Sequence, residues 1–401
     1  MKIGMLLDTT YPPDSRIDNE ASFLIAQKHE VHLFNLNYKN LLSREEIRQI
    51  KVYRYAASML TYKLSALAYD WPFYHQLIKN KIAAFIEESG VEVLHVHDML
   101  IAKAVIEVNK KYKLPLVLDL HEDRPEIMKY YRHVKAFPGK YLINLKRWAQ
   151  AQDELIKNVD RVVVVTDYAK AAIAERNVKS AAHIHVVPNI VNPEIFLSYG
   201  IDENILQSMQ GSFNVLYVGD TATRRGTDTA IKSIALLKDK IPHIKLWIVG
   251  KSTEDEQLKA LASALSLTQQ VVFAGWQDVS LFPSYIKGAD VCISPLKRNK
   301  HHDTTYANKI FQYMALGKPL VVSDCTAQAA VVEQAACGLI HKADDVASLA
   351  DGILKLYKEP DLAQQMGNAG KQSLLNQFDY VKSLRELASL YQELAERRKT
   401  I

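Results

Sequence analysis

Short apolar runs alternate with helical stretches from one end of this chain to the other, and that alternation limits the fold more than any other feature. In the first half the runs are residues 3–7, 31–34, 93–96, 116–120 and 162–165, all rich in Val, Ile and Leu. In the second half residues 215–218, 246–249, 271–273, 291–293 and 320–322 repeat the scheme. Runs this short, and apolar at successive rather than alternate positions, are strands buried on both faces, and with helices between them they belong to parallel sheets. A chain of 401 residues exceeds what one hydrophobic core serves. The reading is therefore α/β, with two doubly wound, Rossmann-like sheets. Pro188, Pro193 and the polar stretch up to Asn214 break the periodicity. Domains at 1–195 and 205–378 follow, with an amphipathic helix over about 379–401 carrying Leu384, Leu387, Leu390 and Leu394 at helical spacing. That helix is free to pack on either domain, and a return onto the first is the expectation.

Composition removes several classes of function. No apolar run approaches the roughly 18 to 20 residues that span a bilayer. The apolar start Ile3 to Leu7 is too short for a signal peptide and stops at Asp8, so it reads as a first strand and the protein as cytoplasmic. Cys292, Cys325 and Cys337 are odd in number and form no C-x-x-C pair, which favours buried thiols over disulfides or metal ligands. The net charge of +5 is mild for this length and argues against nucleic acid as the partner.

In open parallel sheets ligands bind beyond the carboxyl ends of the strands. After Val218 the loop 219–228 holds Gly219 and Gly226, which allow close backbone approach, and Arg224 and Arg225, whose planar forks suit phosphate oxygens. Segment 304–319 reads as a polar loop, a short helix beginning near Lys309 and a strand; a helix start presents unpaired N–H groups and partial positive charge, and Lys309 adds a full one. Two such loops in one half point to a nucleotide-diphosphate site. Neither G-x-G-x-x-G nor G-x-x-x-x-G-K-[ST] occurs, which disfavours dinucleotide oxidoreductases and P-loop phosphotransferases. In the first half, strands end in His95, His97 and Asp98 and in Asp119, His121, Glu122 and Arg124. His95 and His97 share a strand face, yet no Cys or further His lies at ligand spacing, so a polar catalytic cleft fits better than a metal site.

Taken in order, these residues resemble a known family. The stretch from Val215 through Gly219 to Gly226, then 246–250, 272–275, 289–295 and 311–319, is similar to the retaining glycosyltransferases of family four, and so are Tyr11 to Arg16 with Glu20, and Val187-Pro-Asn189. The resemblance implies the GT-B fold, two Rossmann-like domains facing across a cleft. It implies transfer of a sugar from a nucleotide-diphosphate sugar, with retention of configuration, to a glycan or lipid-linked acceptor in surface-polysaccharide assembly. A UDP-sugar is the expected donor and a GDP-sugar the alternative. No further cofactor is implied and, since no D-x-D occurs, no catalytic metal.

Carried over by position, His121 matches the histidine that contacts the donor sugar, and Arg225 and Lys309, with Arg224, are expected to bind the diphosphate. Arg16, Asp98, Gly219, Gly250, Trp276, Thr304, Tyr306, Asn308 and Gln312 complete the expected substrate site. The family pairs two glutamates eight positions apart, for the sugar and the ribose; here those positions are Thr304 and Gln312. A family arginine falls on Asp220. These departures keep a catalytically silent nucleotide- or glycan-binding scaffold as the alternative, with an epimerase ranked last.

Two stretches bear on the acceptor. Residues 129–148 carry Lys129, Arg132, Lys135, Lys140, Lys146 and Arg147 among Tyr130, Tyr131, Phe137, Tyr141 and Trp148, without an acid. Basic residues interleaved with aromatics suit an anionic membrane surface, peripheral at the inner face of the plasma membrane. Residues 56–81, with Met59, Leu60, Tyr62, Leu64, Leu67, Tyr69, Trp71 and Phe73, are a second candidate contact. A helix packed on the sheet with a solvated rim is the competing reading for both.

Overall fold

In a computed structural model, which describes residues 1–399, every apolar run named above falls on a strand. The chain divides into two units, residues 1–189 together with the helix from Val381 onward, and Ile190–Tyr380. The first unit holds β1 (Lys2–Leu7), β2 (Glu30–Asn37), β3 (Arg44–Ile47), β4 (Ile50–Ala56), β5 (Val93–His97), β6 (Leu116–Leu120), β7 (Arg161–Val164) and β8 (Ile184–Val186). They form one eight-stranded sheet in the order β3-β4-β2-β1-β5-β6-β7-β8. All neighbours are parallel except β3 and β4, an antiparallel hairpin at the edge.

Three of these strands, β3, β4 and β8, lie outside the sequence reading. The hairpin turns on Arg48 and Gln49, both at positive φ (49° and 66°), so it makes a left-handed two-residue turn without the Asn-Gly pair that usually announces one. β4 is interrupted by Lys51 and Arg54, and Arg54 is nevertheless buried, its Nε donating to the Tyr11 carbonyl at 2.9 Å. β8 is three residues long.

The second unit holds β9 (Phe213–Val218), β10 (Ile244–Val249), β11 (Val271–Gly275), β12 (Val291–Ser294), β13 (Leu320–Ser323) and β14 (Gly338–His341), all parallel, in the order β11-β10-β9-β12-β13-β14. β14 is a further strand the pattern did not mark. Residues 300–304, to which the sequence reading gave no helix, form a short one that the Asn299 side chain caps by accepting from His302 N at 2.9 Å. Cys292, Cys325 and Cys337 are buried free thiols.

Chain order reverses between β1 and β5 in the first sheet and between β9 and β12 in the second, and at such switch points loops on the carboxyl side splay apart and leave a crevice. The C-terminal helix Tyr380–Lys399 buries Leu384, Leu387, Leu390 and Leu394. Glu386 pairs with His185 at 2.8 Å and Glu393 with Arg161 at 3.0 Å, so this helix completes the first unit.

Gly226 is where the second switch point is tightest. It sits at φ 75° between the turn Thr223–Arg225 and the helix Thr227–Leu237, and a Cβ there would lie 1.6 Å from the Pro295 carbonyl oxygen beyond β12. Gly226→Ala is expected to cost about 2–4 kcal/mol, since strain and a backbone clash add. Urea denaturation measures this, and an unchanged midpoint would contradict the packing.

Candidate functional site

In the second unit the site grows from the ends of β9 and β10. Gly219 and Gly250 leave these strands at φ 120° and 149°, so close together that a Cβ on Gly250 would meet the Gly219 carbonyl oxygen at 1.8 Å. The loop that follows is held from outside, because Glu254 accepts from Thr223 N at 2.8 Å and Asp255 bonds the Thr221 hydroxyl. Asp220, which replaces a family arginine, has a role that the sequence reading did not assign. Its carboxylate binds Arg224 at 2.8 Å and lies 3.6 Å from Arg225 Nε, so it sets both guanidinium groups on one side of the loop. Behind Arg224 stands His302 at 3.4 Å, kept neutral because burial, then Arg225, push it down to about 3.

Lys309 opens the helix Lys309–Ala315 and points back at this loop. Its ammonium is 3.6 Å from the centre of the Tyr217 ring and 3.4 Å from where a Gly219 Cβ would stand. It is buried and has no hydrogen-bond partner among the described residues. Burial first, and then Arg225, force its pKa far below the lysine range. Lys309, Arg224, Arg225, Gly219 and Gly250 thus converge. Gln312 is one turn along from Lys309 and half-buried, while Asn308 is exposed. The other expected residues of this unit have these surroundings. Trp276 is 70% exposed beyond the edge strand β11, Thr304 donates its hydroxyl to the Lys300 carbonyl at 2.9 Å, and Tyr306 packs edge-on against Phe311.

In the first unit Asp14 caps the helix Ser15–Ala26, accepting from Arg16 N at 3.0 Å and Ile17 N at 3.1 Å. The cap places Arg16 and Glu20 one turn apart on the buried face. Arg16, expected as a substrate contact, is engaged by its own unit. Its guanidinium is 3% exposed and points inward, donating to both Asp119 oxygens at 2.8 Å and to the Val187 carbonyl at 3.1 Å, and it pairs with Glu20 at 2.9 Å.

Around that pair stand three histidines. His95 and His97 stack at 4.5 Å, and their nitrogens lie 3.6 and 3.4 Å from Asp119 Oδ2. His121 Nε2 is 3.4 Å from the same oxygen, and its Nδ1 is 3.6 Å from Asp98, which also accepts from the His121 backbone N–H at 3.3 Å. Burial opposes charge on both His121 and Asp119. Asp98 and Asp119 outweigh it at His121, lifting the ring to about 9, while Arg16 and then His121 hold Asp119 well below the carboxylate range. Burial drives Glu20 up to about 8 and His97 down to about 3.

Glu20, His95, His97 and Asp119 offer donor atoms within 4.8 Å of one another, a metal-like grouping that the spacing of His95 and His97 could not reveal because both acids come from elsewhere in the chain. The chemistry of the set speaks against an ion there, because the Arg16 guanidinium already holds both carboxylates and fills the cationic place. Sequence reasoning assigned no role in the site to Asp8 after β1, which burial raises to about 6, while Arg124, already placed in the polar cluster after β6, has its Nε buried without a hydrogen-bond partner among the described residues. A lone acid closing an apolar strand is the signal that marks Asp8.

Away from the switch point, Asp70 joins the two aromatic stretches by accepting from Asn144 N at 3.0 Å and Trp148 Nε1 at 2.9 Å. Trp148 is therefore core, as are the flanks of Leu64, Leu67 and Tyr69, whereas Met59, Leu60, Tyr62, Trp71, Phe73, Phe137 and Tyr141 are exposed. No helix among the described residues is long and apolar enough to cross a membrane.

Comparison with known proteins follows the same division. Residues 15–195 match the family described as Glycosyltransferase Family 4, and residues 201–373 match Glycosyl transferases group 1. The putative glycosyltransferase EpsD of Bacillus subtilis is 24% identical over 252 residues, a match that spans 62% of each protein. The lipopolysaccharide core biosynthesis glycosyltransferase LpsE of Rhizobium meliloti is 22% identical over 74% of this chain and 81% of its own. Among solved structures, Anabaena HepE in complex with UDP-glucose superposes with a TM-score of 0.73 over 100% of both chains at 15% identity, which identifies the fold as GT-B. Matched along both units, the chain belongs to family four of the glycosyltransferases, the retaining, nucleotide-sugar-dependent enzymes of group 1.

Proposed function

We propose that this protein transfers a sugar from a UDP-sugar to a glycan or lipid-linked acceptor at an anionic membrane surface. The observation that carries the donor half is Lys309, a buried ammonium without a hydrogen-bond partner, converging with Arg224 and Arg225 on a glycine loop. A diphosphate supplies the missing acceptors. HepE, which shares the fold, is known in complex with UDP-glucose, and this supports UDP as the nucleotide.

In the reaction the acceptor hydroxyl oxygen forms a bond to the anomeric carbon as the bond from that carbon to the β-phosphate oxygen breaks. Attack comes from the face that the diphosphate leaves, and the departing phosphate takes the acceptor proton, which retains configuration. Negative charge grows on the diphosphate, and Arg225 and Lys309 stabilise it there without reorganising. His121 as an imidazolium donates a hydrogen bond to the transferred sugar. Thr304 and Gln312 leave that sugar and the ribose with neutral partners in place of carboxylates.

The acceptor half is supported by the exposed aromatics at 59–62, 71–73 and 137–141, with Lys129, Arg132, Lys135, Lys140, Lys146 and Arg147 in an acid-free segment. Such a surface matches the charge and polarity of an anionic lipid interface.

Calorimetry with UDP tests the donor site. Arg225→Ala with Lys309→Met is expected to weaken binding about 100-fold or more, as lost charge-assisted contacts do. Because burial and then Arg225 lower the Lys309 pKa in the free protein and a diphosphate favours its charged form, UDP binding is expected to raise that pKa, to take up protons and to weaken as pH rises; buffers of different ionisation enthalpy measure the uptake. Equal affinity in the double variant sinks the proposal.

The His121 ring, raised from 6.5 to about 9, is expected to titrate near 9 by histidine-selective NMR. Because the folded value is the higher one, its contribution to stability is complete below pH 6.5 and fades as pH climbs to about 9. A midpoint near neutrality would remove the imidazolium from the mechanism.

Flotation with phosphatidylglycerol vesicles is expected to carry the protein upward, and Trp71→Ser with Phe137→Ser to leave it at the bottom. A parent protein that stays down refutes the membrane surface.

A further inference from the structure

Beyond its immediate contacts, His121 stands at one end of a buried series of side chains that begins on the C-terminal helix. Tyr391, fully buried on the face that carries Leu387 and Leu390, has its hydroxyl 2.6 Å from His95 Nδ1. His95 Nε2 is 3.6 Å from Asp119 Oδ2, and that oxygen is 3.4 Å from His121 Nε2. One tautomer suits this order: the phenol O–H donates to Nδ1 of His95, and Nε2–H faces the carboxylate. The other tautomer would aim a lone pair at a negative oxygen in a buried site. The stacked His97 ring restricts His95 from one side, and Arg16 holds both oxygens of Asp119.

We propose that Tyr391 is a positioning residue for His121: its hydroxyl fixes the His95 tautomer, His95 and Arg16 fix the Asp119 carboxylate, and that carboxylate orients the His121 ring. The same logic governs histidines whose second nitrogen is held by a carboxylate. It gives the last helix of the chain a part in the chemistry beyond its apolar packing. The groups facing His121 are Asp119 on β6, Asp98 and His97 along and after β5, the last with its Nδ1 3.2 Å from His121 Nε2, and Glu122 beyond β6; Arg16 and Glu20 from the first helix, His95 and Tyr391 stand behind them. Of these, Tyr391 alone combines a hydroxyl with a place on the C-terminal helix, so it is removable without altering net charge.

The inference rests on the reading of His121 as the group that meets the transferred sugar, and its test reads the rings without turnover. In the full-length protein labelled with 15N-histidine, His95 is expected as the Nε2–H tautomer. In Tyr391→Phe it becomes a mixture, the His121 titration moves, and kcat falls about tenfold with the donor KM unchanged. Leu390→Ala, which removes packing from the same helix and keeps the phenol, is expected to lower the melting temperature while leaving the tautomer and the pH profile in place. An Nδ1–H tautomer in the parent overturns the proposal even if Tyr391→Phe fails to fold. So does a folded Tyr391→Phe with unchanged tautomer and pH profile, a Leu390→Ala that reproduces its effects, or a stoichiometric metal ion in the purified protein. Full activity of His121→Ala would instead overturn the reading of His121, with the Tyr391-dependent tautomer standing.

Discussion

A guanidinium sunk into the first unit is the contact on which its site depends. Arg16 lies at the start of a helix, Asp119 near the end of β6, and Val187 at the end of the sheet, and one fork of hydrogen bonds joins all three. A buried ion pair is a weak source of net stability, because desolvating two charges costs nearly as much as their attraction returns. Removing one member is another matter, costing about 3–5 kcal/mol, because the partner is left charged and dry. The pair therefore specifies an arrangement more than it stabilises a fold. With Asp119 held ionised by Arg16, a second positive charge is tolerated at His121, and Glu20, left over in the same space, is the acid that takes a proton.

The second unit meets the opposite problem. Arg224, Arg225 and Lys309 converge where Asp220 supplies one carboxylate, so positive charge exceeds negative in a partly buried place. Burial first, and then that excess, depress Lys309 and push His301 and His302 down to about 2 and 3. Each group holds its proton less tightly where burial and neighbouring positive charge disfavour the cation. An anionic ligand with several oxygens reverses the balance, which is why a surplus of buried cations beside a glycine loop is stronger evidence for a diphosphate than the helix start alone.

Strands buried on both faces are the part of this fold that sequence declares most openly, since nothing but continuous apolar character fits between two layers of helix. Ten apolar runs located the centres of both sheets. The hairpin β3-β4 escaped because its turn uses Arg48 and Gln49, and because Arg54 is buried where the pattern calls for an apolar residue. The site was legible to the extent that it follows strand ends: Gly219, Arg225, His121 and Asp98 all do. Lys309, on a helix, was found through the composition of its segment. What stayed hidden was pairing over long separations, since Arg16 and Asp119 stand 103 residues apart and His95 and Tyr391 stand 296 apart. Periodicity carries no information about such partners, so Arg16 read as a ligand contact and Trp148 as a surface aromatic.

Charge also explains how a family site persists while two of its acids are absent. Replacing a carboxylate by Thr304 or Gln312 removes a strong acceptor for sugar and ribose hydroxyls, yet it also removes negative charge beside a diphosphate. By the family resemblance Asp220 stands where a basic residue is expected, and Thr304 and Gln312 stand where two acids are. The two changes act in opposite directions on the potential at the phosphates. Asp220 in turn draws Arg224 and Arg225 to one side, where a loop without that acid would leave them to repel each other. In the proposed donor site, charge lost at one end is thus offset at the other.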